Sequence, residues 1–411
     1  MKRRLRFFVV LWLAFWPAAS QATGILVIRG GQVHPAVGGV LDDATIVIED
    51  GKIVSVGPQV SVPAGAKVLD ARGCILYPGF IAVTLVGDRK EARDILAMTP
   101  DSLAMDMQDD WADRRKLLAG GVTSLFLSAG TSRFLPGRGS VIKPGGDGVR
   151  ASIVREAAAL SVNFTERAMR SPLVDVFPAP IGPENPLVPS RRQFPSSSLE
   201  AYWGLRELLL ESPFQGEFAA MMSAVSGTLR EAVEQHLPVV VGYRKPPEAL
   251  RMIELSKELG FPLVLLGNEG TARLADVLKD KDISVIAPFS ERSLGLPPGD
   301  GGFAEFPNAM DPSDIAELIQ KGVRVALSPL FDKDLPDLFR LTQYFRRYGL
   351  PPEELLKTIT VDPADMFGVA HRIGSLRPGL DADILIYRKD GDKPFLQLKT
   401  VMIEGEIIYE E

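Results

Sequence analysis

One stretch decides the fold of this chain: Tyr77-Pro78-Gly79-Phe80-Ile81-Ala82-Val83-Thr84-Leu85-Val86-Gly87. Pro78-Gly79 is strong turn chemistry, and the apolar run that follows it is rich in β-forming residues and nearly unbroken. Such runs are typical of interior strands of a parallel sheet, because these strands are buried on both faces. The stretch therefore predicts a turn that leads into a buried strand.

Beyond this strand, segments with strand and helix patterns alternate as far as residue 369. Alternation of this kind is typical of a parallel sheet or barrel. The length of 411 residues suits one large α/β barrel with a small additional module. We predict an α/β fold with a (β/α)8 TIM barrel over residues 78–369, whose later strands lie at 122–128, 140–143, 238–241, 263–266, 283–287 and 323–327.

Both ends of the chain have the pattern of short strands joined by tight turns, with Asp50-Gly51 and Glu404-Gly405 at two of the turns. An Asp-Gly pair favours a hairpin because it tolerates positive φ. Neither end alone offers enough strands for a stable sheet. We therefore predict that residues 23–77 and 370–411 pair into one small composite β-sandwich domain.

The first 22 residues have the pattern of a secretory signal. Lys2, Arg3, Arg4 and Arg6 precede an uncharged apolar segment at residues 7–16, and Ser20-Gln21-Ala22 offers a small-x-small cleavage site. The apolar segment is too short for a membrane-spanning helix, so cleavage is the better interpretation and a retained anchor is the alternative. We predict a secreted, periplasmic protein that begins near Thr23.

Charge and cysteine content narrow the range of partners. Removal of residues 1–22 takes away four positive charges and changes the formal net charge from -6 to -10. This balance argues against nucleic acid or an anionic membrane surface as a partner. Cys74 is the sole cysteine, so no disulfide can form within the chain, and we expect it to be a buried small apolar residue.

The carboxyl-terminal motifs carry a resemblance to a known family. Val361-Asp362-Pro363-Ala364 is followed by Gly374-Ser375-Leu376-Arg377-Pro378-Gly379-Leu380-Asp381-Ala382-Asp383. This run resembles the ending of the amidohydrolase superfamily, Asn-Pro-Ala and then Gly-Ser-Leu-x-Pro-Gly-x-Asp-Ala-Asp, with Asp362 in place of Asn. Tyr77-Pro78-Gly79 resembles the start of the family's first barrel strand. The strand from Pro238 and its following helix are similar to imidazolonepropionase-like members.

The resemblance implies a metal-dependent hydrolase of non-peptide C–N bonds, with zinc held by histidines and a carboxylate at strand ends. This chain departs from that pattern. The two histidine positions of the first strand carry Thr84 and Val86, and the later strand ends carry Gly242, Asn268 and Ser328. Asp332 is the one shifted candidate for the family's last aspartate. The three histidines, His34, His236 and His371, lie away from predicted strand ends, so we predict no metal and no cofactor.

The predicted strand ends still carry polar and basic side chains. We assign no catalytic residue and predict a binding site for a small carboxylate or phosphate, because guanidinium and ammonium groups bind such anions. Solvated loop charges are the alternative. Residues 171–198 contain seven prolines, and we expect this loop, with Arg191 and Arg192, to cover the site or else to be a surface excursion. The predicted ligand-binding residues are Thr84, Asp88, Lys143, Arg244, Asn268, Glu269 and Asp332.

Three classes of function stay open. The first is a metal-free, non-catalytic relative that binds a small ligand or pairs with an intact amidohydrolase. The second is a hydrolase of non-peptide C–N bonds with a divergent site, using carboxylates such as Asp88, Glu269 or Asp332. The third is a structural component of a homo- or hetero-oligomer. Fold alone does not choose among them.

Overall fold

The computed structural model describes residues 24–85, 98–107, 114–144, 153–165, 168–169, 195–210, 219–296, 309–389 and 396–411. The predicted signal, Asp88, Arg191 and Arg192 lie outside these residues, as does most of the proline-rich loop. Within the described part of the chain, no helix is long and apolar enough to cross a membrane.

The strands form two eight-stranded sheets. The first five strands are β1 (Leu26–Val33), β2 (Leu41–Glu49), β3 (Lys52–Gly57), β4 (Lys67–Asp70) and β5 (Cys74–Pro78). The next eight are β6 (Phe80–Val83), β7 (Val122–Leu127), β8 (Gly137–Ile142), β9 (Ile153–Asn163), β10 (Val239–Gly242), β11 (Leu263–Leu266), β12 (Ser284–Phe289) and β13 (Val325–Pro329). The last three are β14 (Ile384–Lys389), β15 (Leu396–Ile403) and β16 (Glu406–Glu410).

Helices join the strands of the second sheet and lie around it. They are α1 (Ala104–Met107), α2 (Arg114–Ala119), α3 (Ser198–Leu209), α4 (Ala219–Glu234), α5 (Pro246–Leu259), α6 (Ala275–Asp280), α7 (Pro312–Gln320), α8 (Leu338–Thr342), α9 (Pro352–Lys357) and α10 (Val361–Met366). Side-chain caps are present at two of them. The Ser197 side chain accepts the N–H of Glu200 at the start of α3, and Asp311 accepts the N–H of Ser313 at the start of α7.

The second sheet is a nearly closed barrel with the order β6 to β13. Its ends meet where the Ser328 hydroxyl donates to the carbonyl of Val83 at 2.8 Å. The predicted (β/α)8 pattern is wrong at one strand, because β8 runs antiparallel to both β7 and β9. The nine residues 128–136 join β7 to β8. A parallel crossover needs a dozen residues or more, so a connection this short requires an antiparallel neighbour.

Packed side chains fill the barrel. Ile81, Phe126, Val240 and Ile286 belong to one buried interior cluster. The Phe367 ring stacks on Phe126 with centroids 3.7 Å apart and planes 3° from parallel. The interior is therefore a solid apolar core, as is usual for barrels of this size.

The first sheet contains strands from both ends of the chain, in the order β16-β15-β14-β5-β1-β2-β3, with β4 beside β1. The pairing of β14 with β5 joins the two ends. Ile384 and Ile386 of β14 face a core of this sheet, whereas Leu385 and Tyr387 face the outer layer of the barrel. Burial on both faces explains the unbroken apolar run. That this composite sheet makes a separate sandwich domain stays a prediction.

The two predicted hairpin turns are present and touch each other. Asp50 and Gly51 have φ of 52° and 74°, and Glu404 and Gly405 have φ of 50° and 77°. A Cβ on Gly51 would lie 2.8 Å from the Glu404 carbonyl. Glycine is favoured at this position for two reasons: it adopts the positive φ without strain, and it has no Cβ to separate the two turns.

Candidate functional site

Barrel enzymes keep their active sites at the carboxyl ends of the parallel strands. Here these ends lie at Val83, Leu127, Asn163, Gly242, Leu266, Phe289 and Pro329. We call this end of the barrel the mouth, and the opposite end, where the parallel strands begin, the base. Of the predicted site residues, Thr84, Arg244, Asn268, Glu269 and Asp332 follow strands that end at the mouth.

Hydroxyl groups at the mouth bond to the backbone of neighbouring strands. The buried Thr84 hydroxyl donates to the carbonyl of Phe126 at 3.1 Å and accepts the N–H of Ser128 at 3.2 Å. The buried Ser328 hydroxyl donates to the carbonyl of Val83. These two side chains, at positions where the resemblance would place metal ligands, therefore connect β6 to β7 and β13.

Asn163, at the end of β9, is a residue of the mouth that the sequence analysis missed. It is 2% exposed, and its amide nitrogen donates to the carbonyls of Gly130 at 3.2 Å and Arg133 at 2.8 Å. A Cβ on Gly242 would lie 2.5 Å from the Asn163 amide oxygen. The glycine in place of the family's histidine is therefore required by Asn163. The mostly apolar residues 157–162 indicate a buried strand, and this pattern could have predicted that Asn163 lies at the end of a strand.

Asn268 lies in a buried hydrogen-bond network between β10 and β11. Its amide nitrogen donates to the Tyr243 carbonyl at 2.6 Å. The Thr271 hydroxyl donates to the Asn268 carbonyl at 2.7 Å, accepts the Asn268 N–H at 2.8 Å, and contacts the Tyr243 hydroxyl at 2.7 Å. Because threonine has one hydroxyl proton, Tyr243 is the donor in this last contact. Burial raises the pKa of Tyr243 to about 12, so the phenol stays neutral.

One polar atom of this network lacks a partner. The Asn268 amide oxygen is buried and has no hydrogen-bond partner among the described residues. The alternative amide orientation would direct this oxygen at the Tyr243 carbonyl, so the hydrogen bond to that carbonyl fixes the assignment. Among the described residues of the mouth, the Asn268 amide oxygen is therefore a buried acceptor for an N–H or O–H group.

The charged candidates of the mouth are on or near its surface. Arg244 and Glu269 are exposed, and Asp332 is partly buried at the start of a 3-10 turn over Asp332–Asp337. A more buried carboxyl lies two residues further on, at Asp334. Burial and then the nearby Glu291 raise the pKa of Asp334. A shifted carboxylate after β13 would therefore be Asp334 more readily than Asp332.

Lys143 does not belong to the mouth, and the prediction that groups it with the other candidates is wrong. It follows β8, which runs antiparallel to its neighbours, so the end of β8 lies at the base. There the Lys143 ammonium is 4% exposed and contacts Asp381, Asp383 and Glu404. The prediction rested on a barrel in which every strand is parallel.

The described residues of the mouth do not fit the family's metal. Zinc in proteins is bound by cysteine, histidine and carboxylate side chains. Within the described residues, no group of three or more such side chains could hold a metal ion. His34 bonds to Gln32 in the composite sheet, His236 lies in the turn before β10, and His371 follows α10.

Comparisons with known proteins find similarity to amidohydrolases. The model of the amidohydrolase family matches residues 263–408. A dihydroorotase of Anaeromyxobacter dehalogenans is 46% identical over 57 residues, which are 14% of this chain and 13% of that enzyme. An adenine deaminase of Moorella thermoacetica is 24% identical over 94% of this chain and 58% of that enzyme. The chain thus spans less than two thirds of the length of these two relatives.

An imidazolonepropionase of Symbiobacterium thermophilum is 26% identical over 87% of this chain and 86% of that enzyme. Among solved structures, an amidohydrolase of Thermotoga maritima MSB8 has a TM-score of 0.72 and 24% identity, with 94% of this chain and 100% of that chain covered. The likeness in structure shows a shared fold along nearly the whole chain. The family-model match over residues 263–408 and this shared fold agree with the resemblance to the amidohydrolase superfamily that the terminal motifs indicate.

Proposed function

We propose that this protein is a metal-free, non-hydrolytic member of the amidohydrolase superfamily that binds a small ligand at its mouth. The observation that carries the proposal is the Asn163–Gly242 contact, which fills the place of a metal-binding histidine with an amide. Thr84 and Ser328 support it, because their hydroxyls already bond to neighbouring strands. The polar groups at these strand ends hold the barrel together.

Metal analysis of the mature protein tests the proposal. We expect well under one zinc, manganese or iron per chain after purification without chelators, and no hydrolysis of cyclic amides or aminopurines when zinc is added. A zinc-loaded protein that hydrolyses one of these substrates would refute it. The Asp332→Asn and Asp334→Asn variants would then show which carboxylate takes part.

The ligand class follows from the groups at the mouth. The exposed Arg244 offers a guanidinium group for a carboxylate or phosphate, and the Asn268 amide oxygen offers an acceptor. We expect Arg244→Ala to weaken the binding of a small carboxylate by about 1.5–3 kcal/mol, the range for a hydrogen bond to a charged group. Calorimetric titration measures this, with Arg292→Ala, an exposed arginine after β12, as the matched control. Equal affinities of both variants and the wild type would exclude Arg244 from the site.

A second candidate function is a hydrolase of non-peptide C–N bonds with a divergent site. The likeness to an imidazolonepropionase and an adenine deaminase over most of this chain favours it. Its acid–base group would be Asp334, since burial keeps part of that carboxyl protonated at higher pH than usual. Loss of turnover in Asp334→Asn at unchanged stability would support this candidate.

Export is part of the proposal. The basic and apolar segments of residues 1–22 support secretion to the periplasm, where the protein would act alone, as a homo-oligomer, or with an intact amidohydrolase. Mass spectrometry of the exported protein should give a chain that begins near Thr23. A chain that retains Met1 would contradict this.

A further inference from the structure

A cluster of six charged side chains lies at the base of the barrel. We call it the base cluster, and its members are Lys52, Lys143, Arg372, Asp381, Asp383 and Glu404. Three of them are buried: the side chains of Lys143 and Asp381 are 4% exposed and that of Asp383 is 5% exposed. Charges this deeply buried are rare unless they are paired.

The Lys143 ammonium lies among three carboxylates. Its nitrogen is 2.9 Å from Asp381 Oδ2, 3.0 Å from the Asp383 carboxylate and 3.0 Å from Glu404 Oε1. An ammonium group has three N–H donors and no acceptor, so one carboxylate for each donor satisfies it completely. Burial alone would lower the pKa of Lys143, but the carboxylates outweigh it and raise the pKa above its usual value.

The cluster connects parts of the chain that are distant in sequence. Lys143 follows strand β8 of the barrel, whereas Asp381 and Asp383 precede β14 and Glu404 lies in the turn between β15 and β16. The backbone continues the connection, because the Glu404 N–H donates to Asp383 at 2.9 Å and the Gly79 N–H donates to the Asp383 carbonyl at 2.9 Å. The side chain of Lys143 thus contacts both the segment before β14 and the turn between β15 and β16.

The other two cations of the base cluster, Lys52 and Arg372, are more exposed to solvent and contact Asp381. Lys52 Nζ is 2.9 Å from Asp381 Oδ1, and Arg372 is 2.8 Å from Asp381 Oδ2. Their side chains are 52% and 30% exposed, so water can replace them when they are removed. Water has no such access to the place of the Lys143 ammonium.

We propose that Lys143 is a tethered cation in a three-carboxylate site, and that this site holds strands β14–β16 on the barrel. The antiparallel course of β8 is the means by which the barrel brings an ammonium group to the base. Without the ammonium, the buried Asp383 carboxylate would lose its contact with Lys143, and Asp381 would keep only the more exposed Lys52 and Arg372 as cationic partners among the described residues. The last three strands would then separate from the barrel more often.

Hydrogen exchange on the mature protein tests the proposal. In Lys143→Met we expect amide protection in β14–β16 to fall on the order of 10–100-fold, with a smaller change in β10–β12, because local opening has its own free energy. Lys52→Met is the matched control, since it removes a lysine from the same aspartate at the surface, and its protection should stay within about twofold. Equal effects of the two variants, or equal losses in β10–β12 and β14–β16, would overturn the proposal.

Rescue by a free cation separates loss of charge from loss of packing. Lys143→Ala leaves space for a small alkylammonium ion, so butylammonium chloride should raise its melting temperature more than sodium chloride at equal ionic strength. The wild type and Lys52→Ala should show no such difference. If Lys143→Ala does not fold alone, Lys143→Ala/Asp383→Asn, which also removes one buried charge, should fold. Failure of both the rescue and the double variant would refute the tethered cation.

Discussion

The mouth and the base of the barrel both bury polar side chains, but they compensate them differently. At the mouth, neutral hydroxyls and amides such as Thr84, Asn163 and Ser328 bond to backbone carbonyls of adjacent strands. At the base, the buried ions Lys143, Asp381 and Asp383 compensate one another. Each hydrogen bond at the mouth therefore contributes a small amount to the free energy of unfolding. At the base, the buried charges depend on one another, so we expect a single substitution to have a larger effect.

This difference matters for function because the family places its metal at the mouth, where charged ligands would be required. In this protein the charged groups with structural roles are at the opposite end. The proposed absence of metal chemistry at the mouth is compatible with the Asp381-Ala382-Asp383 motif at the base, since both aspartates of the motif contact Lys143 there.

The largest expected effect comes from removing a buried carboxylate at the base. Asp383→Ala should lower the free energy of unfolding by about 3–5 kcal/mol, because it leaves a buried cation with fewer partners. Its counterpart at the mouth, Asn163→Ala, should cost about 1–3 kcal/mol through two unsatisfied carbonyls. Urea unfolding of both variants measures the difference, and equal losses would show that the two ends do not differ as described.

A second prediction concerns Asp362, which packs near the start of β13 at the base. Burial raises its pKa to about 7 despite the nearby Arg324. The folded state therefore binds a proton that the unfolded state releases between about pH 4 and 7, and stability falls as the pH rises through that range. Asp362→Asn removes this effect. It should be more stable than the wild type by about 2–4 kcal/mol at pH 8, with the difference vanishing near pH 4.

Thermal unfolding from pH 4 to 8 checks this prediction. Asp365→Asn is the control variant. Burial also raises the pKa of Asp365, which lies about one helical turn after Asp362, so the two variants show which carboxyl causes the pH dependence. If Asp365→Asn accounts for the whole pH dependence and Asp362→Asn for none, the assignment to Asp362 is wrong.

The Asn163–Gly242 contact gives a third, smaller effect at the mouth. Gly242→Ala should cost about 1–3 kcal/mol, because its Cβ would overlap the Asn163 amide oxygen. In an Asn163→Ala background the same substitution should cost almost nothing. A double-mutant cycle measures this coupling. Additive costs would mean that the glycine is not required by Asn163.

The smallest effect is expected for the hydroxyls that join β6 to its neighbours. Ser328→Ala should cost about 0.5–1.5 kcal/mol, the usual contribution of one hydrogen bond. Thr84→Val, which keeps the shape of the side chain, should cost about the same. A loss above about 3 kcal/mol for either would place a critical interaction at the mouth and weaken the contrast with the base.

Much of the local structure was predictable because its causes are local. The hairpin at Asp50-Gly51 follows from the residues that tolerate positive φ, and the start of α7 follows from Asp311 and the proline after it. The replacement of the first-strand histidine by Thr84 is visible without a structure. These features depend on a few neighbouring residues.

By itself, the sequence determined the resemblance to a family, the two-ended composite sheet and the absence of histidine from the predicted strand ends, because motifs, turns and residue types are properties of short segments. Only the tertiary structure decided that β8 is antiparallel and that Lys143 therefore lies at the base. It also decided that Asn163 lies against Gly242. Strand direction and contacts between strand ends depend on pairing between distant segments, and residue pattern within one segment carries no record of that pairing.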